Sequence, residues 1–305
     1  MLGGSTNARF VIAFHLKVVF KDKAWTRSLI FPYTMDDQTG ATGSEGRVMM
    51  ERLDLAGISL DVEVLGSGKP MLYLHPEHYA HLQRPFMEKL AQHWKVYAPR
   101  HPGFDGRQPP SDFRRVDDLA YLYLNLLTRI DEGPVTVLGA SFGGWVGMEM
   151  AVRDISLIGA LGLIAPLGAK LGGRDDRGFA DLSALSEDEA SRCLFAEISL
   201  DFGTFTDDEL TVVARDRQYL AYYAWKPYLH NPVLGRWLQR ITVPTHLVWG
   251  GADDFAAPEL GRQLFERIPQ SQLDIIAGAG HYPQIECLEE LMAIITVGPC
   301  AKVGG

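Results

Sequence analysis

The chain has 305 residues, 47% apolar and 22% charged, with 29 Lys and Arg against 38 Asp and Glu for a formal net charge of -9. That length allows one large α/β domain or a core with an inserted subdomain, and no segment offers the roughly 18 consecutive apolar residues of a membrane span. The acidic balance, with no Lys/Arg-rich block, excludes nucleic acid and anionic lipid as main partners, since both are held through clustered cations; a small-molecule ligand fits better.

Residues 1–46 read as a flexible extension. Phe10 to Phe20 is apolar enough for a signal-peptide core, but His15 and Lys17 interrupt it and no small-residue cleavage site follows directly. Asp36 to Gly46 is polar and glycine-rich, the composition of a linker or disordered stretch. From Met49 the pattern is regular. Alternation over Ile58 to Leu65 predicts a strand and Gly66 to Pro70 a turn. There follow a buried strand over Met71 to Leu74, helical spacing around Pro85 to His93, a strand at Val96 to Ala98 and a helix over Val116 to Ile130. A strand at Val135 to Leu138 leads into a helix over Phe142 to Val152, and further strands are predicted at Ile158 to Ile164, His246 to Trp249 and Leu273 to Ile276. Such alternation predicts a parallel sheet covered on both faces. Residues 167–240 depart from it without a strand pattern, which predicts a helical cap inserted into a core of 47–166 and 241–297, with 298–305 as a tail.

Residues 137–144 read V-L-G-A-S-F-G-G. A Gly-x-Ser-x-Gly match carries meaning when it follows a strand and opens a helix, as here: the turn is so tight that only small neighbours fit, and the hydroxyl is held out for reaction. The plain alternative is a turn with an N-capping serine. A serine becomes a nucleophile only when a base takes its proton, so the chemical reading needs a histidine and a carboxylate. W-G-G-A-D-D-F-A-A-P (249–258) places Asp253 and Asp254 after a strand, and A-G-A-G-H-Y-P-Q (277–284) places His281 before the last helix. The order Ser, Asp, His is that of a triad built on an α/β-hydrolase sheet.

On these three motifs, and on A-P-R-H-P-G-F-D-G (98–106), the chain resembles the α/β-hydrolase superfamily from about Met49 to Thr296. The resemblance implies a mostly parallel eight-stranded sheet with helices on both faces and a helical cap. It implies Ser141 as nucleophile, His281 as general base and then acid, and Asp254 as the orienting carboxylate, preferred to Asp253 because it precedes Pro258 by four. The oxyanion hole is expected from the N–H groups of Phe142 and Glu77. The loop that reads His-Gly in the family reads His75-Pro76-Glu77-His78 here, and proline has no N–H to give. His75, His78 and Arg100 are candidate substrate contacts, and the ionisable side chains of Glu77 and His78 are candidates for binding a polar substrate group or shifting the pKa of His281; solvent-facing positions for Glu77 and His78, or a structural ion pair for Arg100, would explain them as well. Tyr223 and Trp225 are candidates from the aromatic cap stripe, which equally fits simple packing.

The expected activity is hydrolysis of small to medium carboxylic esters through an acyl-enzyme. Two alternatives stay open: carbon–carbon bond hydrolysis of ring-fission dienoates, as in the meta-cleavage-product hydrolases that the chain also resembles, and a ligand-binding protein with little turnover. Ser141 excludes relatives with an aspartate nucleophile. No metal or organic cofactor is implied. Cys193, Cys287 and Cys300, odd in number and without ligand spacing, predict reduced thiols in a cytoplasmic protein. The expected partner is a small ester, with oligomeric state open, a homodimer included.

Overall fold

A computed structural model describes residues 12–20, 23–33, 48–173 and 178–302. Two strands come first, β1 (Ile12–Phe20) and β2 (Lys23–Tyr33). The core begins with β3 (Met49–Leu55), β4 (Ile58–Leu65), β5 (Pro70–Leu74), α1 (Arg84–Leu90), β6 (Lys95–Pro99), α2 (Val116–Ile130), β7 (Val135–Ala140), α3 (Phe142–Arg153) and β8 (Ile158–Ile164). After α4 (Glu187–Leu194), β9 (Ile198–Leu200) and α5 (Asp207–Ala224), the core resumes with β10 (Thr245–Gly250), α6 (Pro258–Arg267), β11 (Ser271–Ile276), α7 (Pro283–Glu286) and α8 (Leu288–Ile295).

Eight strands form an open sheet in the order β11-β10-β8-β7-β5-β6-β4-β3. Neighbours from β11 to β6 are parallel, and β4 pairs antiparallel with both β6 and β3. The mostly parallel, two-sided architecture expected from the sequence is therefore present. On β7, Val135 and Val137 pack into the cluster that includes α2, α3 and α6, while Leu138 and Ala140 pack into the one that includes α1 and α8. Burial on both faces is why these strands read as continuous apolar runs.

The α2 helix occupies the predicted span. Asp118, in its first turn, accepts from the backbone N–H groups of Arg114 and Arg115 at 2.8 Å each, satisfying donors that a helix start leaves open. The two acidic segments between β8 and β10 are helix starts of the same kind: Ser186 with Glu189 and Thr206 with Glu209 form capping boxes.

Three differences from the expected domain layout stand out. The insertion between β8 and β10 is not purely helical, because β9 pairs antiparallel with β1, and β2-β1-β9 form a second sheet. Three residues are too few to show a period of two. Part of the N-terminal segment read as a flexible extension is thus in paired strands, and the rest of 1–46 lies outside the described residues. Residues 298–302, expected as part of a tail outside the core, pack on it: Cys300 is buried, and its carbonyl accepts from the Thr136 hydroxyl at 3.3 Å.

The β7–α3 junction is the tightest point of the core. Ser141 sits at φ 50°, ψ -111°, a conformation that side-chain-bearing residues adopt only where the surroundings enforce it. A Cβ on Gly139 would run into the Gly143 carbonyl and lie 2.6 Å from the Gly144 nitrogen, and one on Gly143 would run into the Leu74 carbonyl of β5. Gly139→Ala is expected to cost about 1–3 kcal/mol through overpacking. Gly278→Ala, where nothing lies within 4 Å, should cost less than about 0.5 kcal/mol. Urea unfolding of the two variants measures the difference.

Candidate active site

Three loops at the carboxyl ends of the strands converge on Ser141. The serine follows β7, and its backbone is fixed from three sides: its N–H donates to Ile164 O at 2.8 Å, and its carbonyl accepts from Trp145 N and Leu167 N at 3.1 Å each. The histidine loop follows β11 and is tied to the cap. His281 N–H donates to Leu194 O at 2.8 Å, while Glu286 accepts from Gly280 N at 2.7 Å and from Ala196 N and Glu197 N at 2.9 Å each.

Within this frame the Ser141 hydroxyl donates to His281 Nε2 at 2.7 Å, and His281 Nδ1–H donates to Asp253 Oδ2 at 2.7 Å. All three side chains are buried. Burial works against a charged imidazole, but the charge of Asp253 and its hydrogen bond outweigh it, so the His281 pKa is raised.

The carboxylate is Asp253, and the expectation of Asp254 is corrected. Asp253 Oδ1 accepts from the N–H groups of Phe255 and Ala256 at 2.9 Å each, which folds the carboxylate inward and aims Oδ2 at the imidazole. Asp254, one residue on, is exposed. Counting back from Pro258 gives the loop but not the face on which each aspartate lies.

The Glu77 side chain is at the site, as its place in the loop suggests, and it meets the N–H expected to serve the oxyanion. Its Oε2 accepts from Phe142 N–H at 3.0 Å and its Oε1 from the Tyr282 hydroxyl at 2.9 Å, and it is fully buried. Burial opposes its ionisation, yet His78, His281, the Ser141 hydroxyl and the Glu77 N–H together hold the carboxyl below its usual pKa. Tyr282, which the sequence reading passed over, is therefore part of the site; its one signal was adjacency to His281.

His75 braces the loop. Its Nε2 accepts from His101 N–H at 3.0 Å, so Nδ1 carries the proton and donates to Pro76 O at 2.7 Å. The two imidazole ring centroids lie 4.0 Å apart with the planes tilted by 42°, and His101 donates through Nε2 to His75 O. Burial lowers the pKa of both, and both serve as neutral struts. His78, pushed down to about 4 by burial, lines a cavity of about 190 Å³ together with Leu194, Trp225, Tyr228, Leu229 and Phe255. The Phe255 ring stands edge-on to His281 at 4.7 Å, so this cavity ends beside the triad. Trp225 is on its lining and 59% exposed. Tyr223 lies elsewhere, donating to Pro102 O at 3.0 Å and packing on Phe142. The Arg100 side chain makes no ion pair within 4 Å among the described residues, so the structural pair expected for it is not formed.

Residues 64–294 match the alpha/beta hydrolase family. The chain belongs to that family. It is 28% identical over 230 residues to the pimeloyl-[acyl-carrier protein] methyl ester esterase of Neisseria meningitidis, covering 70% of this chain and 86% of that protein. It is also 28% identical over 257 residues to the polyketide synthase ThaQ of Burkholderia thailandensis, covering 77% of this chain but only 12% of the synthase. Among solved structures, the 2-hydroxy-6-oxo-6-phenylhexa-2,4-dienoate hydrolase of Rhodococcus sp. strain RHA1 aligns with a TM-score of 0.64 at 18% identity, over 83% of this chain and 99% of that one. At that identity the likeness supports the fold alone.

Because the charge of Asp253 and its hydrogen bond are the largest influences that lift His281, Asp253→Asn should lower the His281 pKa, leaving burial opposed only by the charge of Glu77. Asp254→Asn should leave it in place. Imidazole NMR titration of the two variants distinguishes the aspartates.

Proposed function

We propose that the protein is a serine hydrolase that cleaves neutral carboxylic esters through an acyl-enzyme. The observation that carries this is the continuous chain Ser141–His281–Asp253, closed by two 2.7 Å hydrogen bonds, at a strained turn that fixes the hydroxyl. Ser141 attacks the ester carbonyl while His281 Nε2 takes its proton, and Asp253 stabilises the resulting imidazolium. His281 then protonates the departing alkoxide. Water, deprotonated by the same nitrogen, releases the acid. The Phe142 N–H, first after the nucleophile at the start of α3, is the donor for the oxyanion, a contribution worth about 3 kcal/mol.

The mainly apolar lining of the cavity beside His281 supports an acyl or alkyl chain of modest size. A methyl ester esterase among the relatives supports the bond type. Relatives and neighbours also include carbon–carbon bond hydrolases of dienoates, but those substrates bring a carboxylate, and the buried Glu77 carboxylate beside Ser141 disfavours one near the reacting carbon.

A panel of p-nitrophenyl acetate, butyrate and octanoate, with mass spectrometry after a fluorophosphonate probe, tests this. Turnover, an adduct on Ser141, and loss of both in Ser141→Ala are expected; full activity in Ser141→Ala sinks the proposal. His281 must be neutral to act as base and its pKa is raised. Activity should therefore fall as pH drops through that raised value, with the acid limb of kcat/KM above about pH 6.5; a limb well below it would remove His281 from the role.

A further inference from the structure

The donor that a serine hydrolase reserves for its substrate is already taken. Phe142 N–H holds Glu77 Oε2 at 3.0 Å, and the Tyr282 hydroxyl holds Oε1 at 2.9 Å. The backbone donor that follows the nucleophile thus serves an internal anion. A substrate carbonyl oxygen cannot share the place of Oε2, because the negative charge it gains on attack would lie against a carboxylate.

No arginine or lysine pairs with that anion among the described residues; the charges that favour it are those of His78 and His281 when protonated. Glu77 has no ion pair within 4 Å among the described residues. His78 is uncharged at neutral pH, and Arg217, on the cavity lining, is engaged by Glu187. The cavity beside the triad reaches His78 and Phe255 but is not lined by Ser141. In the chain Glu77 directly precedes His78, a lining residue of the cavity, and its carboxylate meets Phe142 N–H beside the nucleophile.

We propose that Glu77 is a specificity-determining residue that occupies the oxyanion hole as an internal anion, held by Tyr282, and that a substrate must displace it to react at Ser141. This rests on Ser141 being the nucleophile. A displaced Glu77 remains in a buried site one residue from the cavity wall, so it discriminates by charge. Acyl groups that are neutral or carry a cation are admitted, and those with a carboxylate near the scissile carbonyl are rejected. Tyr282 acts through Glu77, as the latch that keeps it seated.

The test compares wild type with Glu77→Gln, Glu77→Ala and Tyr282→Phe, each first confirmed as folded by its thermal melt. Two readouts are taken: the rate of Ser141 labelling by a fluorophosphonate, and the kcat/KM ratio of mono-p-nitrophenyl succinate to p-nitrophenyl butyrate. Glu77→Ala should label at least about tenfold faster, and the succinate-to-butyrate ratio should rise at least about tenfold in both Glu77 variants, a change of 1.4 kcal/mol or more in relative barrier. Tyr282→Phe should raise labelling less and leave the charge preference in place. Should Glu77→Ala fail to fold, the isosteric Glu77→Gln and the latch variant carry the test through the same ratio. Labelling of Ser141 at equal rates in all four proteins, or slower labelling in the Glu77 variants, overturns the role of Glu77 while leaving the nucleophile intact. No labelling of Ser141 in any of them overturns both readings.

Discussion

Everything at this site depends on one backbone constraint: Ser141 is held at φ 50° between β7 and α3. The conformation is not one that a serine adopts by itself. It persists because the carbonyl of Ser141 is bonded from two sides, its N–H is bonded to β8, and glycines at 139 and 143 let the first turn of α3 press against the ends of β7 and β5. The strain is stored by the middle of an eight-stranded sheet, where unfolding the turn would mean parting buried strands. The hydroxyl and the Phe142 N–H are then fixed in direction before any ligand arrives.

The partners of Ser141 are brought in by loops whose own order depends on the cap. The histidine loop is anchored through His281 N–H to Leu194 O and through Glu286 to Gly280, Ala196 and Glu197. Cap and triad are therefore mechanically joined: the end of α4 sets the position of the imidazole. The opposite wall, residues 75–78, is held by a pair of neutral histidines whose tautomers are fixed by reciprocal backbone bonds. Once fully satisfied, such a buried polar pair makes the loop rigid, so that Glu77 is presented at a defined height above the nucleophile.

Strands buried on both faces, the α2 span with its acidic first turn, and the elbow glycines were legible in the sequence because each leaves a local trace: a run, a period, or a residue type that the backbone demands. What could not be read depends on direction. Asp253 and Asp254 are identical in type and adjacent, and only the turn that lets Asp253 cap Phe255 N and Ala256 N decides which carboxylate faces His281. Glu77 is legible as an ionisable side chain near the site that acts on the pKa of His281, but the departure from His-Gly at Pro76 points to its backbone N–H as an oxyanion donor, and no local pattern shows that its carboxylate meets Phe142 N–H. The pairing of β1 with β9 joins residues some 180 positions apart through a three-residue strand, and no local pattern encodes it.

The electrostatics of the centre follow from this placement. Two buried carboxylates flank one imidazole: Asp253 at Nδ1, and Glu77 acting through its field from the side of the hole. Each favours the protonated imidazole, so His281 is a stronger base than burial alone would leave it, which assists the removal of the Ser141 proton. The same two charges oppose the next event, since an oxyanion growing at Phe142 N–H adds a third negative centre to a space from which water is largely excluded. A site of this kind is primed for proton abstraction and guarded against charge build-up on oxygen. The balance between those effects turns on Glu77, the one of the two carboxylates whose anchors are a single backbone N–H and a phenolic hydroxyl rather than a closed turn.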